Sequence, residues 1–241
     1  MKILRKTRQK MLTENKIRQY LIYAIGEIVL VVIGIYIALQ LSITKENRKL
    51  DIVKDNYLNQ LMVDFDKEIE NLESNILFLD SCIVSYNTYR TFIKTDNLEP
   101  IQIINEIVKV KAEFKYTSFK STSIGVLESM GDIKLIPKKI RNNLLDFKRD
   151  QDRINKVTTG NYKICLNTYN DANKLGYQRI ASGIPNIKKM KSENLVDIIL
   201  TLEAGFLLKN FTDKIKINKF RELLVDVKEL KDMIALELKE G

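Results

Sequence analysis

The chain has 241 residues, and +5 of its formal net charge of +9 falls within the first 44 residues, so the remainder carries a nearly balanced mixture of charges. This distribution does not predict a nucleic-acid groove, because phosphate recognition needs basic side chains concentrated on the binding surface. The absence of histidine excludes histidine-based catalysis and histidine-ligated zinc, and the two cysteines form no CxxC motif, so we expect no cofactor and no metal site.

Residues 1–19 form a basic segment that we expect to contact the inner leaflet of a membrane. Over residues 2–12 the apolar side chains gather near one face of a helix, which predicts a short interfacial helix. A disordered basic tail is the alternative, because so short an amphipathic segment is marginally stable without lipid. Thr13 suits the N-cap of a helix that begins at about residue 14. The side chains expected to contact lipid headgroups are Lys2, Arg5, Lys6, Arg8, Lys10, Lys16 and Arg18.

Residues 20–43 are predicted to form one membrane-spanning helix. The segment contains a single charge, at Glu27, and at about 1.5 Å per residue it can cross a hydrocarbon core of ~30 Å. The apolar run is too long for the core of a cleaved signal peptide, and no A-x-A site follows it, so we interpret it as a signal anchor. Seven basic residues precede it and four closely follow it. This asymmetry predicts an inner-membrane protein with a cytoplasmic N-terminus and with residues 45–241 in the periplasm.

One face of this helix combines its only charged residue with small residues. At 100° per residue, Tyr23, Glu27, Gly34 and Ala38 lie within one narrow stripe. Gly34 and Ala38 would let a second helix approach closely, and a buried carboxylate in lipid is costly unless it is paired or protonated. These four residues are therefore the predicted interface for self-association or for docking to another membrane protein. The alternative is that Glu27 extends to the inner boundary of the membrane and that the small residues have no role.

Residues 44–95 are predicted to continue the membrane helix as a long helical stalk. The stretch contains no glycine and no proline, and its apolar residues recur at gaps of three and four. The acidic run within it at first suggests a metal or acid–base cluster. On a helix, however, Asp64 and Glu68 share a face and Asp66 points away, and nearby lysines favour an ordinary solvated surface.

Residues 96–241 are predicted to form a helical bundle that packs on the stalk, so the chain as a whole is expected to be all-α. Pro100 suits the first turn of a helix over about 100–113, and Gly131 suits the end of a helix over about 122–130. Further helices are expected over about 137–160, 161–175, 192–208 and 214–239.

Cys82 and Cys165 both lie on predicted helices among apolar neighbours. Outside the cytoplasm they could form a disulfide. Unpaired cysteine is among the most frequently buried residue types, so the pattern favours two buried free thiols over a bond.

The N-terminal sequence LRKTRQKMLTENK, followed by YLIYAIGEIVLVVIGIYIALQ, resembles a family of uncharacterised single-pass membrane proteins common in Bacteroidota. The family begins with a basic RK-RQ-L-ENK segment and a YAIGEIVLVVIGI-type helix. A second block, TSIGVLESMGDIKLIPKKIRNNLLDF at 122–147, is similar to the family's L-x-x-x-G-x-x-x-L-I region. The tryptophan that usually follows the membrane helix in the family is missing, and LSIT stands at 41–44 instead. The resemblance implies an anchored helical domain in a Gram-negative envelope and implies no activity.

Three functions are compatible with these patterns. The first is a non-enzymatic, membrane-anchored scaffold or docking protein for other envelope proteins. The second is a ligand-sensing domain that signals through a partner, because the short cytoplasmic segment cannot hold an output domain. The third is an enzyme whose site lacks histidine. A deep pocket with converging polar groups in residues 100–240 would favour the second or third function, whereas a flat apolar patch would favour the first.

Overall fold

The computed structural model describes residues 17–183 and 192–240, and every regular element in these residues is helical. This confirms the all-α prediction. The predicted interfacial helix over residues 2–12 lies outside the described residues. In chain order the elements are α1 (Ile17–Phe92), α2 (Pro100–Ile107), α3 (Thr122–Met130), a 3-10 helix (Asp132–Leu135), α4 (Lys138–Lys174), α5 (Tyr177–Ala181) and α6 (Ser192–Glu240).

Helix α1 is continuous over 76 residues. Its continuity agrees with the lack of helix-breaking residues after Gly34, and the long helix predicted from the periodicity is confirmed as far as Phe92. Internal contacts divide the chain into two compact units, which meet within α1 between Asp55 and Asn56. From Leu58 onward α1 contributes core residues to the second unit, so this part of the predicted stalk belongs to the bundle.

The core of the second unit consists of two groups of buried apolar side chains. In the first group, Phe65 of α1 packs edge-on against Phe147 of α4, with 5.9 Å between the ring centres. In the second group, Phe206 of α6 packs against Tyr86 and Tyr89 of α1, with ring centres 6.5 Å apart in both pairs. Burial of these side chains supplies most of the favourable free energy of folding.

Helix α2 begins as predicted but ends six residues early. Pro100 occupies its first turn, and Gln102 and Glu99 form a capping box there. The predicted end at about residue 113 is wrong, because the helix stops at Ile107. Beyond that point the backbone N–H of Lys111 donates a hydrogen bond to the Ser85 hydroxyl at 2.9 Å, which ties the chain to α1. A side chain on a distant helix thus replaces the helical hydrogen bond.

Helix α3 has the bounds predicted from its breakers. It ends at Gly131, whose φ of +75° is a left-handed conformation that a side chain would strain. The two breaks predicted later in the chain, at Gly160 and over 208–214, are wrong, since α4 and α6 run straight through them. A glycine inside a helix costs only about 1 kcal/mol, which is less than burial of the residues beyond Gly160 returns.

Candidate functional site

Charged and polar side chains meet inside the second unit where α4 packs against α6. Asp213 accepts a hydrogen bond from the Tyr162 hydroxyl at 2.6 Å and another from Lys209 Nζ at 2.6 Å, and all three residues are buried. Further along α6, the buried Lys216 donates from Nζ to the carbonyl oxygen of Lys115 at 2.9 Å. We refer to Tyr162, Lys209, Asp213 and Lys216 as the polar centre.

Helix geometry explains how the polar centre is assembled. Lys209, Asp213 and Lys216 are spaced four and three residues apart, so they project from one face of α6. Tyr162 reaches the same place from α4. Beside it, Asn161 Nδ2 donates to Thr212 Oγ1 at 3.1 Å, which also joins α4 to α6. Two separate hydrogen bonds therefore fix how far the two helices are displaced along each other.

Burial controls the protonation of this centre. Burial raises the pKa of Tyr162 well above its ordinary value, and the charge of Asp213 and its hydrogen bond add to the effect, so the hydroxyl remains a donor. Burial also lowers the pKa of Lys216 to about 8, opposed by the negative charge of Asp213 and helped by the positive charge of Lys209. Asp213 accepts one hydrogen bond from Tyr162 of α4 and one from Lys209 of α6, so its carboxylate joins the two helices.

Aromatic rings surround the two lysines of the polar centre. Lys216 Nζ lies 5.1 Å from the centre of the Tyr162 ring and 5.6 Å from that of Phe220. Lys209 Nζ lies 5.7 Å from the centre of the Phe114 ring. Because the faces of aromatic rings are electron-rich, they partly replace the water that a buried ammonium group loses.

Cys82 and Cys165 are both buried and both free, as their sequence context favoured. Burial raises the pKa of Cys165 to about 11 and raises that of Cys82 as well. A thiol with a raised pKa is a weak nucleophile at neutral pH. The arrangement is therefore that of two structural thiols.

A second buried polar cluster involves Asp64 and Glu68 of α1. Asp64 accepts hydrogen bonds from the backbone N–H and the hydroxyl of Ser123, at 2.9 and 2.6 Å. Glu68 accepts from the backbone N–H of Ser121 at 2.9 Å and from that of Lys120. The interpretation of this acidic run as a solvated surface is thus wrong for two of its members, whereas Asp66 is exposed as predicted. The two carboxylates bind backbone donors at and just before the start of α3, where a helix leaves N–H groups unpaired.

An exposed row of large apolar side chains occupies the outer face of α6. Val196, Leu200, Leu207 and Phe211 are 41%, 62%, 61% and 57% exposed. At 100° per residue they fall within an arc of about 60°, opposite the face that carries buried residues such as Leu202. We call these four residues the apolar stripe. Large exposed apolar side chains that share one helix face are a candidate contact surface.

The structure places the predicted membrane-interface residues on α1, where they share one helix face. Tyr23, Glu27, Gly34 and Ala38 are all exposed within the described chain. A Cβ atom added to Gly34 would meet nothing within 4 Å. The predicted headgroup contacts lie outside the described residues, except that Arg18 lies in α1. Within the described chain, α1 is the helix long and apolar enough to span a membrane; its most apolar window has a mean hydropathy of 2.4, and none of that window is buried.

Sequence reasoning missed the polar centre entirely. A signal was present, since Lys209, Asp213 and Lys216 stand at gaps of four and three in register with the buried Phe206 and Phe220. The break predicted between residues 208 and 214 puts Lys209 and Asp213 outside both predicted helices, which hides this register.

Comparison of the chain with protein-family models, with curated proteins and with solved structures gives no match.

Proposed function

We propose that this protein is a membrane-anchored, non-enzymatic docking protein of the cell envelope. In this proposal α1 holds the chain in the membrane, and the apolar stripe of α6 binds an apolar helix face of another envelope protein. The single observation that carries the proposal is the apolar stripe, four large side chains on the face of α6 opposite its buried residues. The polar centre supports it, because its carboxylate joins two helices.

The energetic basis is the hydrophobic effect. Each square ångström of apolar surface removed from water contributes about 25 cal/mol, so covering the apolar stripe would drive association. Exposed apolar patches of this kind on a soluble surface are typical of binding sites. Its alignment along one helix suits a partner that also presents a helix, since apolar side chains of two helices interdigitate along their length.

Anchoring has independent support. The apolar window of α1 is exposed throughout, as a lipid-facing helix would be. We propose an inner-membrane location with the N-terminus in the cytoplasm and the bundle in the periplasm, from the excess of basic residues before the helix. We also propose membership of the single-pass family that the N-terminal motif resembles. Reporter fusions at Gly241 test the orientation, and a reporter active only in the cytoplasm would reverse it.

Site-specific photo-crosslinking tests the docking function. A photoreactive residue at Leu207, within the apolar stripe, should give a discrete adduct in the membranes of living cells. The matched control is Asn218, which is exposed three turns further along the same face of α6 and should give none. The variant Leu200→Asp should abolish the adduct from Leu207, whereas Asn218→Asp should leave it unchanged. An adduct insensitive to Leu200→Asp, or an equal yield from both positions, would refute the proposal. An adduct twice the mass of the chain would identify the partner as a second copy.

A further inference from the structure

A small cavity lies in the second unit between α1 and α6, next to the polar centre. Residues of α1, including Cys82 and Tyr86, and residues of α6, including Lys209, Asn210 and Asp213, line it together with the segment after α2. The space available to the centre of a water-sized sphere is about 10 Å³. A single water molecule needs about this much room, so the cavity is too small for an organic ligand.

Two buried polar atoms belong to residues that line this cavity. They are the hydroxyl oxygen of Tyr86 and the Oδ1 atom of Asn210, and neither has a hydrogen-bond partner among the described residues. Tyr86 as a whole is only 5% exposed. Burial raises the pKa of its hydroxyl, so the group is a hydrogen-bond donor at neutral pH. A donor on α1 and an acceptor on α6 thus belong to residues that line one small space.

We infer that this cavity binds one internal water molecule that joins Tyr86 of α1 to Asn210 of α6. The water accepts a hydrogen bond from the Tyr86 hydroxyl and donates one to Asn210 Oδ1. Its chemistry fits the site because water is both donor and acceptor and can pair with both atoms, and because the charged residues that line the cavity, Lys111 and Lys209 with Asp213, are of both signs and favour neither an anion nor a cation. Buried polar groups in native proteins are paired almost without exception, and internal water is a common partner.

The direction in which the melting temperature of the variant Tyr86→Phe changes distinguishes a hydroxyl bonded to water from an unpaired one. If the hydroxyl holds a water molecule, removing it deletes a hydrogen bond and leaves the water with fewer partners, so the melting temperature should fall by a few degrees. If the hydroxyl is unpaired, removing it relieves a buried polar group, and the melting temperature should rise. The assay is thermal unfolding of the full-length protein in detergent micelles, followed by circular dichroism. The control Tyr116→Phe, at an exposed tyrosine, should change little.

A double-mutant cycle supplies the second measurement. Tyr86→Phe and Asn210→Ala act on the same water in this proposal, so their combined effect should be smaller than the sum of the two. A high-resolution crystal structure of the full-length protein should show the water bonded to both side chains and should lose it in Tyr86→Phe. A rise in melting temperature for Tyr86→Phe, additive effects in the cycle, or a dry cavity in the crystal would each overturn the inference.

Discussion

Replacement of Lys216 by methionine should change how the stability of this protein depends on pH. Lys216 is 1% exposed, and burial holds its pKa at about 8 in the folded chain against 10.5 for the ordinary side chain. The unfolded chain therefore binds more protons than the folded chain between these two values. Stability gained through this residue must rise with pH across that window and stay constant below it. Methionine has a similar length and cannot be protonated, so the variant lacks this dependence.

The size of the effect follows from the pKa values. Integrated from about pH 7 to about pH 9.5, the difference in bound protons corresponds to a gain of about 2 kcal/mol for the wild type relative to Lys216→Met. For a chain of this size that is a shift of roughly 4–8 °C in relative melting temperature. The measurements stop at about pH 9.5 because tyrosines of the unfolded chain begin to ionise above it and would change the free energy of unfolding. Any such change is common to the wild type and the variant and cancels in the difference between them.

The assay is urea unfolding of the full-length protein in detergent micelles at a series of pH values, for wild type and variant together. Lys219→Met is the matched control, because Lys219 lies one turn away on α6 and is half-exposed beside Glu222. Its profile should run parallel to that of the wild type. If Lys216→Met also runs parallel to the wild type, the folded chain does not hold this lysine at a lowered pKa, and the account of the polar centre is wrong.

Two further predictions use pairs of glycines. Gly205→Ala should destabilise the chain by about 1 kcal/mol, because the new Cβ would collide with the Thr168 side chain and lie 3.3 Å from its Cβ. Gly160→Ala should instead stabilise the chain by up to about 1 kcal/mol, because its new Cβ meets nothing within 4 Å and alanine favours the helix. Urea unfolding measures both changes in the free energy of unfolding. In the membrane segment, Gly34→Leu should weaken association in bilayers because leucine blocks close approach of a second helix, whereas the control Gly26→Leu, on another face, should not. An added Cβ meets nothing within 4 Å at either position, so neither variant should disturb the chain itself. Resonance energy transfer between labelled chains measures the association, and equal behaviour of the two variants would remove Gly34 from the interface.

Sequence reasoning succeeded where the deciding signal is local. The end of α3 is set by Gly131, the start of α2 is set by Pro100, and the continuity of α1 beyond Gly34 agrees with a long stretch that has no glycine and no proline. Each of these depends on the backbone preferences of a few adjacent residues. The all-α class follows from the same kind of evidence, repeated along the chain.

Sequence reasoning failed where a charged side chain is buried by contact with a residue distant in the sequence. Asp213 is buried in α6 with two donors, one of which, Tyr162, lies 51 residues earlier. Glu68 is buried because backbone groups about 50 residues later turn towards it. A charged side chain by itself predicts exposure, and only its partner reverses that expectation. The candidate site was missed for this reason and because the break predicted over 208–214 placed Lys209 and Asp213 outside a helix.

The hydrogen bond between Tyr162 and Asp213 also bears on which of several packings the bundle adopts. Apolar helices can slide past one another by one turn, about 5.4 Å, with little change in the area they bury. Such a slip would take the Tyr162 hydroxyl away from Asp213 and leave a buried hydroxyl and a buried carboxylate oxygen without partners, which is unfavourable, although Asp213 would keep Lys209 on its own helix. The polar centre therefore adds little to the total stability but disfavours alignments of α4 and α6 other than the native one. It gives a bundle built mainly from interchangeable leucines and isoleucines a single structure.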